Sequence, residues 1–356
     1  MDLDFTPEQE LLAETVRGLC ARHCGLDVVR QLEDDPVGCP EKFWLQLAEL
    51  GLLDMSELTM LDAVVLYGEL GRALVPSPHF ASSVVSASVL RLAGSEAQRS
   101  EWLPRIAAGD AIVTPAWLEP GGGFGPAGVH VRVDGEGRLT GTKRHIPFAA
   151  AADRLLVLAR GGDDQVRYVL VDPKGPGVTL TQQHTIASDT QYRVDLDGAA
   201  GDALAQGGWA AWDEVIHDGI ILLAAQAVGG ARYALDITVQ YAKDRHQFDK
   251  PLGAFQAIAH YLADAVIAVD GAETLVWEAA WARSEGRPVS RLAPMAKLFA
   301  GQTFRDVTAM AQQVFGGVGF TVDYDIQLYF RRAKQLQISW WNDRYLEELV
   351  AADVLA

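Results

Sequence analysis

Arg245-His-Gln-Phe248-Asp-Lys-Pro-Leu252 opens the most informative stretch of the chain, which continues through Gln256-Ala-Ile to Gln313-Val-Phe315-Gly316-Gly317-Val-Gly319-Phe320. An arginine offers a planar set of donors to phosphate oxygens, and paired glycines let backbone N–H groups approach an anion closely. Taken singly, Arg245 reads equally well as surface charge, and Gly316-Gly317 as the cap of a helix C-terminus. Around these motifs the segments 210–243, 256–285 and 292–314 are long, Ala-rich and of helical period. Gly286-Arg287-Pro288 separates the last two.

Toward the N-terminus the pattern is also helical, as far as about Gly109. Thr6-Pro7-Glu8-Gln9 supplies an N-cap, a first-turn proline and a capping-box glutamine. Helices are expected at 41–50, with Gly51 just past the end, at 61–74, broken by Pro76-Ser-Pro78, and at 81–92, closed by Gly94. Ser95-Glu-Ala-Gln98 caps a last short one. The period then changes. Val129-His-Val131-Arg-Val133 alternates with period two, Gly135-Glu-Gly137 turns the chain, and 155–158 and 168–171 are apolar runs of strand length. The expectation is an α+β multidomain chain: an N-terminal all-helical domain at 1–112, a middle β-barrel-like domain at 113–207 and a C-terminal four-helix-bundle domain at 208–356.

These motifs, in this order, resemble the acyl-CoA dehydrogenase family, FAD enzymes that desaturate acyl-CoA thioesters between Cα and Cβ. Tyr-Gly-Glu69-Leu-Gly71-Arg72-Ala and Trp102-Leu-Pro-Arg-Ile-Ala-Ala-Gly109 are similar to the family's N-terminal domain, so the likeness covers essentially the whole chain. The resemblance implies that Arg245, Phe248, Gln256, Gln313, Gly316 and Gly317 reach across a subunit interface to the diphosphate half of FAD. Asp249 stands where the family usually has Gly.

Flavin dehydrogenation of a thioester needs a carboxylate for the α-proton, a flavin for the β-hydride and donors for the carbonyl oxygen. Here the resemblance implies losses. Leu118-Glu119-Pro120-Gly-Gly-Gly123-Phe124-Gly125 stands for a Thr-Glu-Pro…Gly-Ser-Asp segment, with Gly121–Gly123 read as a turn into the β-domain. Lys143-Arg144-His145-Ile146-Pro147 stands for a Trp-Ile-Thr/Ser strand against the flavin ring. Leu118 and Phe124 have no side-chain donor, and proline has no N–H. Arg331-Arg332-Ala333-Lys334-Gln-Leu-Gln337-Ile338-Ser339-Trp340 resembles the segment that ends on the family's catalytic Glu, and Trp340 fills its place. A second place used by some members, early in the first C-terminal helix, falls on Gly219. Asp218 is adjacent, but one residue along a helix turns a side chain by about 100°. It reads more simply as a solvated first-turn acid.

Two functions follow. In the first, the chain is the non-catalytic subunit of an α2β2 acyl-CoA dehydrogenase, of a subfamily acting on steroid side-chain CoA thioesters in actinobacteria. FAD is then shared across the subunit interface, and acyl-CoA lies mainly in the homologous catalytic partner. In the second, it is a flavin-free homo-oligomeric scaffold or a lyase-like acyl-CoA protein, with His145 as acid–base residue. Retention of Arg245, Phe248 and Gln313 favours the first.

A formal charge of −17, with 49% apolar and 22% charged residues, speaks against a nucleic-acid or anionic-membrane surface. Met1-Asp-Leu-Asp-Phe5 lacks the pattern of a secretory leader, and the run 220–228 is too short for a bilayer, so a cytoplasmic location is expected. Cys20, His23, Cys24 and Cys39 invite a metal reading. Leu12, Val16, Leu19 and Cys20 share a helical face, however, where cysteine packs as a small hydrophobe, and no metal is expected.

Overall fold

The computed structural model describes residues 5–355, so Met1–Asp4, on which the reading of the chain start rests, lie outside the described residues. Six α-helices come first: α1 (Pro7–His23), α2 (Leu26–Gln31), α3 (Glu41–Glu49), α4 (Met60–Arg72), α5 (Ala87–Ala93) and α6 (Glu96–Ala107). Seven strands follow: β1 (Val113–Ala116), β2 (Arg132–Val133), β3 (Arg138–Pro147), β4 (Arg154–Arg160), β5 (Val166–Val171), β6 (Val178–Gln183) and β7 (Gln191–Ala203). The rest is α7 (Trp209–Asp244), a hairpin of β8 (His246–Gln247) and β9 (Lys250–Pro251), then α8 (Gln256–Ser284), α9 (Leu292–Phe315), α10 (Ile326–Ile338) and α11 (Asp343–Leu355). The helical–β–helical order is the one read from the sequence.

Local chemistry explains the boundaries. Thr6 Oγ1 accepts the Gln9 N–H at 3.3 Å while Gln9 Oε1 accepts the Thr6 N–H at 3.2 Å, and Ser95 and Gln98 do the same for α6. The helix expected at 81–92 differs at its start. Phe80–Ser86 is π-helical before α5 continues it, and within that wider turn Ser82 Oγ accepts the Val113 N–H of β1 at 3.1 Å. The strand expected at 129–133 shrinks to Arg132–Val133, because the N–H groups of His130 and Val131 go to the Glu119 carboxylate at 2.9 and 3.0 Å instead of to a neighbouring strand.

The chain forms two compact units. One comprises residues up to Asp27, Leu58–Val75 and everything from Ile220 onward. In it α4 meets α7 backbone to backbone: a β-carbon at Gly71 would lie 2.0 Å from Gln226 O, and one at Gly229 1.9 Å from Gly68 O. Only glycine permits that approach. Arg17 donates to both oxygens of the buried Glu69, at 2.9 and 2.6 Å, fastening α1 to α4. Cys20 on α1 and Cys24 at its C-cap are buried, and burial pushes the Cys24 thiol up to about 12. They pack as small apolar groups.

The other unit comprises Val28–Glu57 and Pro76–Gly219. Its seven-stranded sheet runs β1-β4-β2-β3-β7-β5, with β6 on β7, and an added β4–β5 pairing closes five of the strands into a barrel. Leu139, Ile146, Leu155, Val157, Val169 and Val194 fill the interior.

The apolar run 220–228 belongs to a helix of 36 residues, long enough to cross a bilayer. Its length therefore does not exclude a membrane span; what identifies it as a core helix is that two thirds of its most apolar window is buried.

Candidate functional site

At the C-terminal ends of α7 and α9 the sequence motifs converge. Tyr241, in the last turns of α7, stacks on Phe315, the last residue of α9, with ring centroids 4.2 Å apart. Tyr324 closes on both rings edge-on, at 6.4 and 5.9 Å. Three rings thus hold the hairpin after α7 beside the glycine turn after α9. Arg245, Phe248, Gln256, Gln313, Gly316 and Gly317 are all exposed there. The Arg245 side chain makes no hydrogen bond or ion pair among the described residues, while its backbone carbonyl accepts the Leu252 N–H at 2.8 Å and closes the hairpin.

The hairpin turn explains Asp249. Phe248 and Asp249 have φ of 55° and 63°, the left-handed pair of a tight two-residue turn, where Gly is the usual second residue and Asp is tolerated. Phe248 is a bulky residue in a conformation it disfavours, yet 87% of its surface is open to solvent. Gly316, at φ 65° and ψ −145°, occupies a region open only to glycine. A β-carbon at Gly316 or Gly317 would meet nothing within 4 Å, so this backbone faces open space. Gly316 is also a helix cap, its N–H donating to Gln312 O, so it is unavailable as an anion donor. That narrows the expected role of the glycine pair to Gly317 and to steric clearance. The neighbouring Gln312, 4% exposed, keeps both amide atoms without a partner, close against Gly319.

After α10 the chain reverses through Ser339–Asn342. Trp340 and Trp341 both have left-handed φ, 53° and 80°. The sequence suggests Trp340 as the buried space-filler, but Trp341 is the residue with no exposed surface, edge-on to Tyr345 at 5.4 Å, while Trp340 is half-buried. Consecutive left-handed residues throw the two indoles to different sides, a consequence that spacing alone does not reveal. Lys297 of α9, buried, supports the turn by donating from Nζ to Leu336 O at 2.6 Å. Gln337 Nε2 donates to Asp343 at 2.6 Å across the same reversal.

Gly219 is buried on α7, and a β-carbon there would sit 3.1 Å from Phe80 Cζ. Asp218 is half-buried ten residues into a helix that begins at Trp209, so it is not a first-turn acid, and the dipole argument for it fails.

Around the strand expected to back a flavin ring, a feature absent from the sequence reading dominates. Lys143 Nζ, fully buried, donates to Glu119 Oε1 at 2.5 Å and to Trp117 O at 3.2 Å. Burial lowers the Lys143 ammonium to about 8 against the pull of Glu119. A lysine mid-strand reads as solvent-facing, and only its alternation with Leu139 and Gly141 hinted otherwise. The register slips between Lys143 and Ile146, and His145 bulges out at φ 53°. Its N–H donates to Gln183 Oε1 at 2.8 Å and its Nδ1 pairs with Gln191 Oε1 at 3.2 Å. Pro147 pairs with Gln191, and its carbonyl accepts from Thr114 Oγ1 at 2.6 Å. Leu118 is half-buried, and Phe124 lies 5.9 Å from the Trp117 ring. None of these four presents a side-chain donor of the kind the family motif carries, His145 excepted.

The family model for the acyl-CoA dehydrogenase N-terminal domain matches residues 6–110, and that for the acyl-CoA dehydrogenase C-terminal domain matches residues 206–355. The chain is 30% identical to acyl-CoA dehydrogenase IpdE2 of Mycobacterium tuberculosis over 92% of its length and 91% of that protein's. Among solved structures, the ChsE4–ChsE5 complex from Mycobacterium tuberculosis superposes with a TM-score of 0.90 at 27% identity, covering 100% of this chain and 99% of that one. A steroid ACAD variant, Tcur3481–Tcur3483, gives 0.87 at 31% identity over 98% of this chain and 99% of that one.

Proposed function

The chain belongs to the acyl-CoA dehydrogenase family, oxidoreductases acting on CH–CH bonds, and on that footing we propose that it is the subunit of a heteromeric acyl-CoA dehydrogenase that lends cofactor contacts without supplying the base. The observation that carries this reading is the contrast between two parts of the chain. The residues that the resemblance assigns to the diphosphate are exposed, with the Arg245 guanidinium unpaired, whereas both positions that it assigns to the base hold residues that cannot take a proton, Trp340 in a strained turn and Gly219 beneath Phe80.

FAD fits the exposed part: Arg245 offers an unpaired guanidinium, Gly316 and Gly317 leave clearance for phosphate oxygens, and Phe248 offers an open ring. When bound, FAD supplies the hydride acceptor. Arg245 would neutralise diphosphate charge, with Gln256 and Gln313 adding polar contacts, across an interface with a homologous catalytic subunit. Exposed apolar residues on α8 and α9, among them Tyr261, Val266, Ile267 and Phe299, give that interface an apolar core. The heteromeric and steroid descriptions of the two solved relatives support an α2β2 assembly acting in the cytoplasm on a steroid side-chain CoA thioester. No metal takes part in this reading.

The test is co-expression with a homologue that carries the Glu and the ring-binding strand. The chain alone should purify without flavin, and the pair should show a flavin spectrum at one FAD per heterodimer. Stoichiometric flavin in a homo-oligomer of this chain alone would overturn the proposal. The flavin-free lyase reading draws on His145, whose ring is exposed and oriented by Gln191, but leaves Arg245 and Phe248 without a task.

A further inference from the structure

A cavity of about 180 Å³ opens where α1, α4, α7 and α8 meet, and none of the residues lining it belongs to the hairpin or to the glycine turn. Its lining comes from one compact unit alone. The walls are mainly apolar: Val64 and Val65 of α4, Val228 of α7 and Val276 of α8 are all buried. Phe5, 40% exposed, and the half-buried Trp277 also line it, with ring centroids 4.8 Å apart.

Gly68, in the interior of α4, faces the same space. Alanine is the better residue inside a helix, and no neighbour requires glycine here. A β-carbon at Gly68 would meet nothing within 4 Å, whereas at Gly71 and Gly229, in the same crossing, it would run into backbone. What glycine preserves at position 68 is the open volume.

The charged groups on the lining narrow the ligand. Arg17 is held by both oxygens of Glu69, at 2.9 and 2.6 Å. Arg232 donates to Asp270 and Glu273 at 2.6 and 2.7 Å, and Arg72 to Asp236 at 3.1 Å. Four carboxylates thus face three guanidiniums, and every guanidinium has a counter-charge. An anion entering the cavity would meet no surplus cation, and its desolvation would go uncompensated. A neutral apolar guest meets no such cost. The volume sets its size, since a cavity of about 150 Å³ accommodates benzene.

We propose that this cavity binds a small neutral apolar molecule, the size of a single six-membered ring. The site does not depend on the heteromeric reading or on the cofactor contacts at Arg245. A guest there touches α1 and α4 on one side and α7 and α8 on the other, so binding should raise the Tm.

Isothermal titration and thermal unfolding of the full chain test it, with toluene in one arm and benzoate in the other. Saturable toluene binding with a rise in Tm is expected, and benzoate should bind roughly tenfold more weakly or worse, because its carboxylate finds no free cation. Gly68→Leu, which projects a side chain into the cavity, should abolish the toluene effect in a chain that stays folded by circular dichroism. Gly68→Ala should fold at least as well as wild type and bind toluene more weakly, so the site is still tested if the leucine variant fails to fold. Benzoate binding as tight as toluene binding, or wild-type toluene binding in either variant, overturns the proposal. So does a failure to saturate up to toluene's solubility, which would leave the cavity to a side chain of another subunit. Arg245→Ala should bind toluene like wild type, which separates a failure here from a failure at the cofactor site.

Discussion

Phe80 lies against Gly219 so closely that a β-carbon on the glycine would come within 3.1 Å of Cζ and 3.3 Å of Cε2. A ring from the π-helical stretch thus covers the point where some relatives place a base. Gly219→Glu should therefore destabilise the chain by about 1–3 kcal/mol through overpacking, despite a gain of roughly 0.5–1 kcal/mol from replacing a helical glycine. The penalty should shrink in a Phe80→Leu background, giving a favourable coupling in a double-mutant cycle by urea unfolding. Additive effects would show that the two residues do not share that space. No dehydrogenation by the variant alone is expected.

Trp341, with no exposed surface, should matter more to stability than Trp340. Trp341→Ala should cost about 3–5 kcal/mol, the usual range for an excised core tryptophan. Trp340→Ala should cost less, because the side chain is half-buried, and Trp340→Gly less still, because glycine relieves the φ of 53°. Denaturant midpoints rank the three. In a reconstituted complex, Trp340→Glu should not double the sites counted by anaerobic acyl-CoA titration, since Leu118, Phe124, His145 and Pro147 are unchanged.

Elements with strong periodicity and explicit caps were legible in the sequence to within a residue or two: α1 from Thr6-Pro7, α6 from Ser95, and the long helices on either side of Gly286-Arg287-Pro288. The set Arg245, Phe248, Gln256, Gln313, Gly316 and Gly317 stood out in the sequence because an ordered run of such residues is informative even without coordinates, and the structure leaves all six exposed. What escaped was set by tertiary contacts. β2 shortened because a distant carboxylate, Glu119, took two of its N–H groups, and nothing near Val129 announces that. The Lys143–Glu119 pair depends on a lysine turning inward, against its usual preference. Which of two adjacent tryptophans enters the core depended on consecutive left-handed residues, a backbone choice that bulky side chains do not advertise.

Lys297 gives the stability a pH signature. Burial lowers its ammonium from 10.5 to about 8 in the folded chain, with Asp343 opposing the shift. Between those values the unfolded chain holds the proton and the folded chain has released it. Stability from this group should therefore rise as pH increases from about 8 toward 10.5, and be level below 8. Lys143 contributes with the same sign over the same window. Lys297→Met should remove part of the rise and Lys143→Met another part, read as the difference from wild type in urea unfolding at pH 7.5 and 9.5. A difference independent of pH for Lys297→Met would mean that the amine titrates normally. The variant also loses the bond to Leu336 O, so a constant offset is expected at both pH values.

The proposed cofactor contacts make the last distinction, between residues expected to hold the ligand and residues that hold the loop. Arg245 is exposed and unpaired, so Arg245→Ala should leave the stability of the isolated chain within about 0.5 kcal/mol of wild type. In the reconstituted heteromer the same variant should weaken FAD retention by roughly 10- to 100-fold, the equivalent of a charge-assisted contact worth about 1.5–3 kcal/mol. Gln313→Ala should act in the same direction but less strongly, since a neutral donor replaces a charged one. Gly316→Ala should behave differently. At φ 65° and ψ −145° the new side chain is strained even though it meets open space, so the isolated chain should lose about 1–3 kcal/mol before any cofactor is present. Flavin absorbance after gel filtration of each heteromer, set beside urea unfolding of each isolated chain, gives both quantities. If Arg245→Ala kept its flavin at wild-type occupancy, the exposed hairpin would not be the diphosphate contact, and the subunit's share of the cofactor would have to lie elsewhere.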